Sequence, residues 1–258
     1  MSGQGGIRTS GGTTFYFGGQ PQKAKPDDSA KVGDFLSALA GRVDACLEGR
    51  AYEKLAVSDT GLSPETLEDV LGEGEIKLWI REPGYVTEAV ESVMPGIWRL
   101  RRRTGTGEAV EDTVDVGPFP RLVEEVMDRD TASVLKAEAV PDGTMSAGPL
   151  LHEIGHYMAG DDPHTIVLTN LPMMPEDMEA LNAVLGEGPV AGGSKGYSTT
   201  RVRSTRYRRV WRTNYLNSEG QVIYDAIEIT RAPLSLAAPR EDIEDGRRRL
   251  ADLMKIYA

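Results

Sequence analysis

The sequence predicts an α+β fold made of two tandem repeats, each a helix plus an antiparallel-sheet unit, with an N-terminal helix and a closing C-terminal helix. Three observations lead to this prediction. Helix-start signals precede each sheet region, short strand patterns follow one another at hairpin spacing, and one set of residues recurs in the second half of the chain. Strands at hairpin spacing pair antiparallel, because a parallel pair needs a longer crossover.

The first 61 residues predict a flexible segment followed by a helical region. Residues 1–28 are rich in Gly, Ser, Thr, Lys and Pro and show no apolar period, so we expect a flexible segment there. From Val32 to Leu47 apolar residues recur at helical spacing, after a capping Ser29 and before Gly49. Residues 29–61 are therefore predicted to form an N-terminal helical region.

Residues 62–125 carry the predicted first repeat. Its helix starts at Ser63-Pro64 and ends at Leu71, before the turn Gly72-Glu73-Gly74. Short alternating or β-branched runs follow at 75–80, 86–92, 96–103 and 109–116, and turn residues such as Pro83-Gly84 separate them. This order is typical of a β-meander behind a helix.

The same residues recur 112 to 114 positions later, which predicts a second copy over residues 164–258. Their order is preserved, and the offset changes by only one or two residues, as small loop insertions would produce. The recurring groups are Leu71-Gly72-Glu73-Gly74, Trp98-Arg99, and the set Gly84, Tyr85, Thr87, Val90 and Ser92. In this alignment Glu91 stands opposite Arg203, so the two copies differ in local charge.

A helical connector is predicted between the copies, over residues 126–163, and a closing helix follows the second meander. The connector contains a helix near 147–158, and the apolar run 165–171 reads as a buried strand of the second copy. In the closing helix, over 240–256, Ile243, Leu250 and Leu253 recur on one face. We expect that helix to cover the sheet.

Composition excludes several classes of function. The net charge of −11 argues against nucleic-acid binding, which requires a basic surface. Cys46 is the single cysteine and lies on the apolar stripe of the first helix, so neither an internal disulfide nor a cysteine-rich metal site is expected. No apolar run reaches the roughly 18 residues of a membrane span. We therefore expect a cytoplasmic protein without membrane insertion.

The string His152-Glu153-Ile154-Gly155-His156 fits the zinc-peptidase pattern, in which two histidines one turn apart bind zinc and the glutamate is the general base. His164 would be a third ligand, but it does not fit the extended pattern of the metzincins. A helical projection places His152 and His156 opposite the apolar face. We interpret the string as a solvent-facing helix and keep the zinc site as the alternative.

Arginines crowd the second copy, at Arg201, Arg203, Arg206, Arg208, Arg209 and Arg212. Three interpretations stay open: a solvated strand face, charge pairing between the two copies through Glu91 and Arg203, or a docking patch for an acidic partner. Trp98 and Trp211 recur with the strands, which favours core packing. The candidate partner-binding residues are Arg201, Arg203, Arg206, Tyr197, Trp211 and Asn217.

Motifs spread over residues 62–256 resemble the HupH/HyaF family of hydrogenase expression/formation proteins, whose C-terminal domain occurs in tandem. They include Glu91–Arg99, with Pro95-Gly96 and Trp98, and the segment Ser194-Lys195-Gly196-Tyr197. The residues that carry the resemblance are Gly72, Gly74, Glu91, Pro95, Trp98, Gly186, Gly188, Gly196 and Tyr197.

This resemblance implies a cytoplasmic accessory protein for the maturation of an uptake nickel–iron hydrogenase, acting as a chaperone rather than as an enzyme. Its implied partners are the precursor of the iron–sulfur small subunit or other hydrogenase accessory proteins, and it implies no cofactor. A zinc metallopeptidase built on His152, His156 and His164, with Glu153 as base, is the alternative from the enzyme class. A structural protein with an unidentified client is the third.

Overall fold

The computed structural model describes residues 29–135, 144–195 and 199–257. In these ranges the helices are α1 (Ser29–Leu47), α2 (Pro64–Leu71), α3 (Arg121–Asp130), α4 (Ala147–Met158), α5 (Pro175–Leu185) and α6 (Arg240–Ile256). The strands are β1 (Leu55–Ala56), β2 (Ile76–Glu82), β3 (Tyr85–Glu91), β4 (Ile97–Thr104), β5 (Ala109–Val116), β6 (His164–Val167), β7 (Val190–Lys195), β8 (Thr199–Ser204), β9 (Val210–Leu216) and β10 (Val222–Ile229).

The helices begin and end close to the positions that the sequence signals predict. The Ser63 hydroxyl accepts the backbone N–H of Thr66 at 3.1 Å, which caps α2 in front of Pro64. Gly72 ends α2 with a φ of 62°, a left-handed conformation that glycine adopts without steric cost. None of the helices in the described ranges combines the length and the apolarity that a membrane crossing requires.

All named strands of the described residues lie in one sheet, in the order β1-β5-β4-β3-β2-β7-β8-β9-β10-β6. Every neighbouring pair is antiparallel. The predicted α+β class and the two predicted meanders, β2 to β5 and β7 to β10, are confirmed. The sequence did not predict that the meanders join edge to edge, through β2 and β7.

The junction of β2 and β7 relates the two repeats by a local two-fold axis. Its pairs are Ile76 with Ser194, Leu78 with Gly192, and Ile80 with Val190, and they are symmetric about Leu78 and Gly192, which are counterparts in the repeat. A Cβ at Gly192 would lie 2.3 Å from the Lys77 carbonyl oxygen and 2.6 Å from the Leu78 Cδ2. Close packing at the axis therefore admits the leucine in one copy and requires glycine in the other.

The repeating unit is longer than the predicted unit of one helix followed by a meander. Leu55 of β1 pairs with Val114, and Ile166 of β6 pairs with Ile227, which corresponds to Val114 in the second copy. After each of these short strands comes one 3₁₀ turn, at Val57–Thr60 or Leu168–Asn170, and then α2 or α5. We therefore infer that each repeat starts one helix before the predicted boundaries at 62 and 164, with α1 and α4 as counterparts.

The register of β8 corrects the predicted alignment of the copies. Glu91 pairs with Trp98 in the first copy, and Ser204 pairs with Trp211 in the second. The counterpart of Glu91 is therefore Ser204, so the predicted charge contrast between Glu91 and Arg203 is wrong. A slip of one residue exchanges the two faces of a strand. Glu91 is 8 % exposed and lies on a covered face, whereas Arg203 faces outward.

Three hydrophobic clusters hold the helices on the sheet. The first joins α1, α2 and α6 to one end of the sheet, and the third joins α4 and α5 to the other end. The middle cluster lies on the opposite face, where α3 covers the central strands. There Phe119 stands between Trp98 and Trp211, with ring centroids 6.0 and 6.2 Å away in edge-to-face geometry.

The C-terminal part of each repeat packs on the other repeat. In α6, Gly246 approaches the β3–β4 turn so closely that a Cβ there would lie 2.9 Å from the Pro95 carbonyl oxygen. After α3, Ala132 donates its N–H to Arg206 O at 2.8 Å and accepts the N–H of Arg208 at 2.9 Å, in the β8–β9 turn. This exchange, together with the shared sheet, ties the two copies into one body.

Candidate partner-binding face

The histidine string lies on α4 and points away from the core, as the helical projection predicted. Leu151 and Ile154 are fully buried, whereas His152 and His156 are exposed. In the ranges that the structure describes, no group of three His, Cys, Asp or Glu side chains has an arrangement that would hold a metal ion. The two histidines therefore stand on a helix surface rather than in a walled cleft.

Glu153 and His164 contact each other between α4 and β6. The Glu153 Oε1 lies 2.7 Å from the His164 Nε2, and the His164 ring stacks on the Tyr157 ring with centroids 3.5 Å apart. In this geometry the carboxylate that would act as a general base is already a partner of the third histidine. The contact between Glu153 and His164 links α4 to the edge strand β6.

The candidate partner-binding residues do not form one site. Arg201 and Arg203 are exposed on β8, while Arg206 follows the strand and donates to Ala183 O at 3.3 Å. Asn217 builds the β9–β10 turn, where its side-chain oxygen accepts the N–H of Gln221 at 2.9 Å. Tyr197 and the motif residue Gly196 lie outside the described residues. Arg201 and Arg203 are thus the candidates that share an accessible surface.

Trp98 and Trp211 are core residues, which confirms their predicted packing role. They are 0 % and 1 % exposed. Their Nε1–H groups donate to Gly117 O at 3.0 Å and to Thr230 O at 2.9 Å, so both indoles are satisfied inside the fold. The expectation that Trp211 contacts a partner is therefore corrected, because its ring has no accessible surface to offer.

The paired motif glycines form helix-to-strand turns in both copies, as predicted. Gly186 has a φ of 56° at the end of α5 and matches Gly72 at the end of α2. Gly74 donates its N–H to Glu91 O at 2.7 Å, and Gly188 donates to Ser204 O at 2.9 Å. These residues fix the path of the chain from helix to sheet, so their role lies in the scaffold.

Glu91 is a buried acid at the end of β3, in contact with the turn that carries Pro95. Its Oε1 accepts the N–H of Gly96 at 3.0 Å. Burial raises the pKa of Glu91 to about 7; the hydrogen bond from Gly96 opposes this rise, and the charges of Asp242 and Glu75 add to it. The Glu91 carboxyl therefore holds the β3–β4 turn through the N–H of Gly96.

Among the residues that the structure describes, no helix covers the centre of one face of the sheet. Lys77, Trp79 and Arg81 alternate along β2 with the buried Leu78 and Ile80, so their side chains lie on the face opposite α3. Across β7, Arg201 pairs with Gly193 and Arg203 with Ala191, which places both arginines on this same side. We call this surface, made of Lys77, Trp79, Arg81, Ala191, Gly193, Arg201 and Arg203, the open face.

Ion pairs neutralise the edges of the open face. Arg99 binds Asp112 through two hydrogen bonds, at 2.7 and 3.1 Å, and Arg212 binds Asp225 in the same way at the corresponding position of the second copy. The repeated pair is bidentate, the geometry in which Arg and carboxylate interact most strongly. Asp112 and Asp225 therefore have little charge left to offset other cations.

Two acidic side chains beside the first-copy strands of the open face, Glu73 and Glu88, are also paired. Lys77 Nζ lies 2.8 Å from Glu73 Oε2, and Arg101 Nη2 lies 3.1 Å from Glu88 Oε2. In contrast, Arg81, Arg201 and Arg203 make no ion pair with any residue that the structure describes. The open face is thus cationic in a chain whose net charge is −11.

Trp79 is the residue of this face that the sequence interpretation missed. Its side chain is 46 % exposed, which is unusual for a tryptophan in the centre of a sheet. The alternation of Lys77, Trp79 and Arg81 with Leu78 and Ile80 is the sequence signal that could have placed it on the polar side of β2. Its proximity to Arg203, two strands away, required the pairing of β2 with β7.

Comparison with known families matches this chain twice. The HupH hydrogenase expression protein, C-terminal conserved region, corresponds to residues 34–139 and again to residues 144–257. The first match includes most of α1 and the second includes α4, in agreement with the longer repeat inferred from the sheet. The suspected resemblance to HupH/HyaF proteins is confirmed.

Relatives carry the same description. The hydrogenase expression/formation protein HupH of Rhizobium leguminosarum bv. viciae is 35 % identical over 75 % of this chain and 70 % of its own length. The hydrogenase-1 operon protein HyaF of Escherichia coli K12 is 29 % identical over 80 % of this chain and 74 % of its own length. The similarity thus extends over most of each protein.

A solved structure, the hydrogenase expression protein HupH from Thiobacillus denitrificans ATCC 25259, is 32 % identical. The match covers 43 % of this chain and 95 % of that one, with a TM-score of 0.39. The family assignment depends on the two sequence matches and on the relatives. This chain, with its duplicated unit and its single continuous sheet, belongs to the family of HupH hydrogenase expression proteins.

Proposed function

We propose that this protein is a non-catalytic, cytoplasmic accessory factor in the maturation of an uptake nickel–iron hydrogenase, and that it binds the precursor of the iron–sulfur small subunit. The observation that carries the proposal is the open face, a cationic surface with an exposed tryptophan in a chain of the hydrogenase expression family. Aromatic and arginine side chains are the residues most enriched at the centres of protein interfaces.

The construction of the molecule favours binding over catalysis. The duplicated elements are used for packing: the motif glycines form turns, Trp98 and Trp211 fill the core, and the repeated arginine–aspartate pairs brace the strands. A ten-stranded sheet whose centre carries no helix on one face, within the described residues, offers a preformed surface, and such a surface reduces the entropy lost when a partner binds. A fellow hydrogenase accessory protein would fit the same surface and is the other partner that we consider.

The peptidase alternative gains no support from the geometry. Glu153 is engaged by His164, and His152 and His156 stand exposed on α4. A catalytic zinc site needs three protein ligands, hydrogen-bond partners that orient those ligands, and a cavity that excludes bulk water. The metal content of the purified protein and the activity of a Glu153→Ala variant test this alternative directly.

Co-expression of the tagged full chain with the hydrogenase small-subunit precursor tests the proposal. We expect the precursor to copurify with the wild type and with the His152→Ala variant in equal yield. Absence of the precursor would contradict the small subunit as the client. One zinc ion per chain, together with a proteolytic activity lost in Glu153→Ala, would overturn the non-catalytic assignment.

A further inference from the structure

The strand pairing and the sizes of the side chains imply a shallow groove along β7, in the middle of the open face. Its floor is formed by Ala191 and Gly193, which pair on one side with Trp79 and Lys77 and on the other side with Arg203 and Arg201. One wall therefore consists of Trp79 and Lys77, and the other of the two arginines. The groove lies beside the local two-fold axis, between the helical layers that cover the two ends of the sheet.

The floor is low because position 193 has no room for a side chain. A Cβ on Gly193 would lie 1.9 Å from the Thr200 carbonyl oxygen, and real Cβ atoms do not approach this closely. The corresponding position in the first copy is Trp79, which is 46 % exposed. The two copies thus differ at this site, with a bulky ring on one side and bare backbone on the other, and the difference creates a depression.

The dimensions fit one extended chain. The walls stand two strands apart, about 10 Å, and flank residues 191–193 of β7, a length of roughly 7 Å. About three residues of an extended segment span this length. Neither edge of the sheet is involved, so side chains and not added strand hydrogen bonds would supply the recognition.

The charge of the walls specifies the chemistry of the occupant. Arg201 and Arg203 are exposed and make no ion pair with described residues, while the carboxylates of Asp225 and Glu88 are bound by Arg212 and Arg101. Carboxylates of a partner would be the complement that these cations lack. The Trp79 ring offers an apolar surface for one aliphatic or aromatic side chain of the same segment.

We propose that this groove binds an extended acidic segment of the hydrogenase protein that is the client, with one apolar side chain of the segment against Trp79. The inference rests on the proposed function, since it names the chemistry that the client presents. The N-terminal residues 1–28 of this chain are a poorer occupant, because they contain Arg8, Lys23 and Lys25 and only two acidic residues, Asp27 and Asp28.

Fluorescence anisotropy with a labelled ten-residue peptide of alternating glutamate and leucine tests the groove. We expect saturable binding to the full chain that weakens as salt is added. The double variant Arg201→Glu/Arg203→Glu should weaken binding by at least about tenfold, since each reversal replaces attraction by repulsion. Trp79→Ala should weaken binding as well, without the change in salt dependence.

A matched control reverses two arginines on the opposite side of the sheet. Arg208 and Arg231 form ion pairs with Asp128 and Glu124 of α3, so Arg208→Glu/Arg231→Glu changes the net charge equally without touching the groove. Binding in this control should stay within about twofold of the wild type, because long-range effects of surface charges are screened by salt. Equal loss in both double variants would overturn the proposal, since only net charge would then matter.

Two further probes separate the groove from other partners and from the proposed function. Tighter binding of a single-stranded oligonucleotide or of a lysine–leucine peptide than of the acidic peptide would overturn the acidic-segment inference. Capture of the small-subunit precursor by Arg201→Glu/Arg203→Glu at the wild-type level would refute the groove and leave the proposed function standing. Peptide binding that the variants abolish, without capture of any hydrogenase protein, would refute the function and retain the groove.

Discussion

Replacement of Glu91 by Gln should make the protein more stable at neutral and alkaline pH. Glu91 is 8 % exposed, and its Oε1 accepts the N–H of Gly96. Asp242 of α6 and Glu75 before β2 are the acidic groups that act on it, and burial is the largest cause of its raised pKa. Glutamine keeps the shape and the acceptor of the neutral acid but cannot ionise.

The magnitude follows from the pKa. A rise of the Glu91 pKa from 4.5 to about 7 corresponds to roughly 3 kcal/mol of free energy of unfolding. Between these values the native protein holds a proton that the unfolded chain releases, so the stabilisation is complete below about pH 4.5, declines as pH rises, and is lost above about pH 7. The Glu91→Gln variant should therefore match the wild type near pH 4.5 and exceed it by up to about 3 kcal/mol near pH 8.

Urea unfolding of both proteins between pH 5 and 8.5 measures this difference. Glu187→Gln, at an exposed glutamate in the second copy, is the control and should show no pH-dependent difference. Asp242→Asn should reduce the slope of the wild type, because it removes one of the charges that raise the pKa of Glu91. A difference between Glu91→Gln and the wild type that stays constant across this pH range would refute the reasoning.

Three other substitutions test the scaffold. Gly192→Val should lower the free energy of unfolding, measured with urea, by at least about 2 kcal/mol, because a side chain there meets the Lys77 carbonyl at the two-fold axis. Gly84→Ala, in an open hairpin turn, is the control and should lower it by less. Asp112→Ala should lower the free energy of unfolding by about 3 kcal/mol, since it leaves the largely buried Arg99 without its bidentate partner. Asp128→Ala removes the acid of an exposed pair and is the control; a larger loss of stability in this control than in Asp112→Ala would contradict the prediction. Asp177→Ala should lower the thermal midpoint of unfolding by several degrees, because the carboxylate accepts the N–H groups of Met145, Ser146 and Ala147. Burial alone would raise the pKa of Asp177, but the backbone hydrogen bonds outweigh it and lower the pKa. The difference in thermal midpoint between the variant and the wild type should therefore shrink as pH falls through that pKa.

Parts of the candidate site could be predicted from the sequence. The arginine-rich run drew attention to Arg201 and Arg203, and the alternation along β2 contains a signal, not used in the sequence interpretation, that would place Trp79 with Lys77 and Arg81 on a polar face. The groove between them could not be predicted, because it depends on β7 lying between β2 and β8. Strands of two separate meanders meet there, and no local sequence signal specifies that pairing.

The alignment of the copies shows a second limit. Alignment of the copies by residue identity placed Glu91 opposite Arg203. Because the hairpin loops of the two copies differ in length, this alignment did not reveal a shift of one residue. The hydrogen-bonded register, in which Trp98 faces Glu91 and Trp211 faces Ser204, resolves it. In a strand this single residue decides between the core and the solvent.

Sequence patterns were enough to predict the α+β class, the duplication, the helix limits and the core role of Trp98 and Trp211, because caps, turns and apolar periods act over a few residues. It took the folded chain to show that the two meanders form one sheet, that Glu91 is buried beside the turn under α6, and that Gly192 and Leu78 meet at the axis. These features depend on contacts between residues more than 100 positions apart, as in the pair Leu78–Gly192. Packing at that distance follows from shape and burial of whole elements, which only the folded chain specifies.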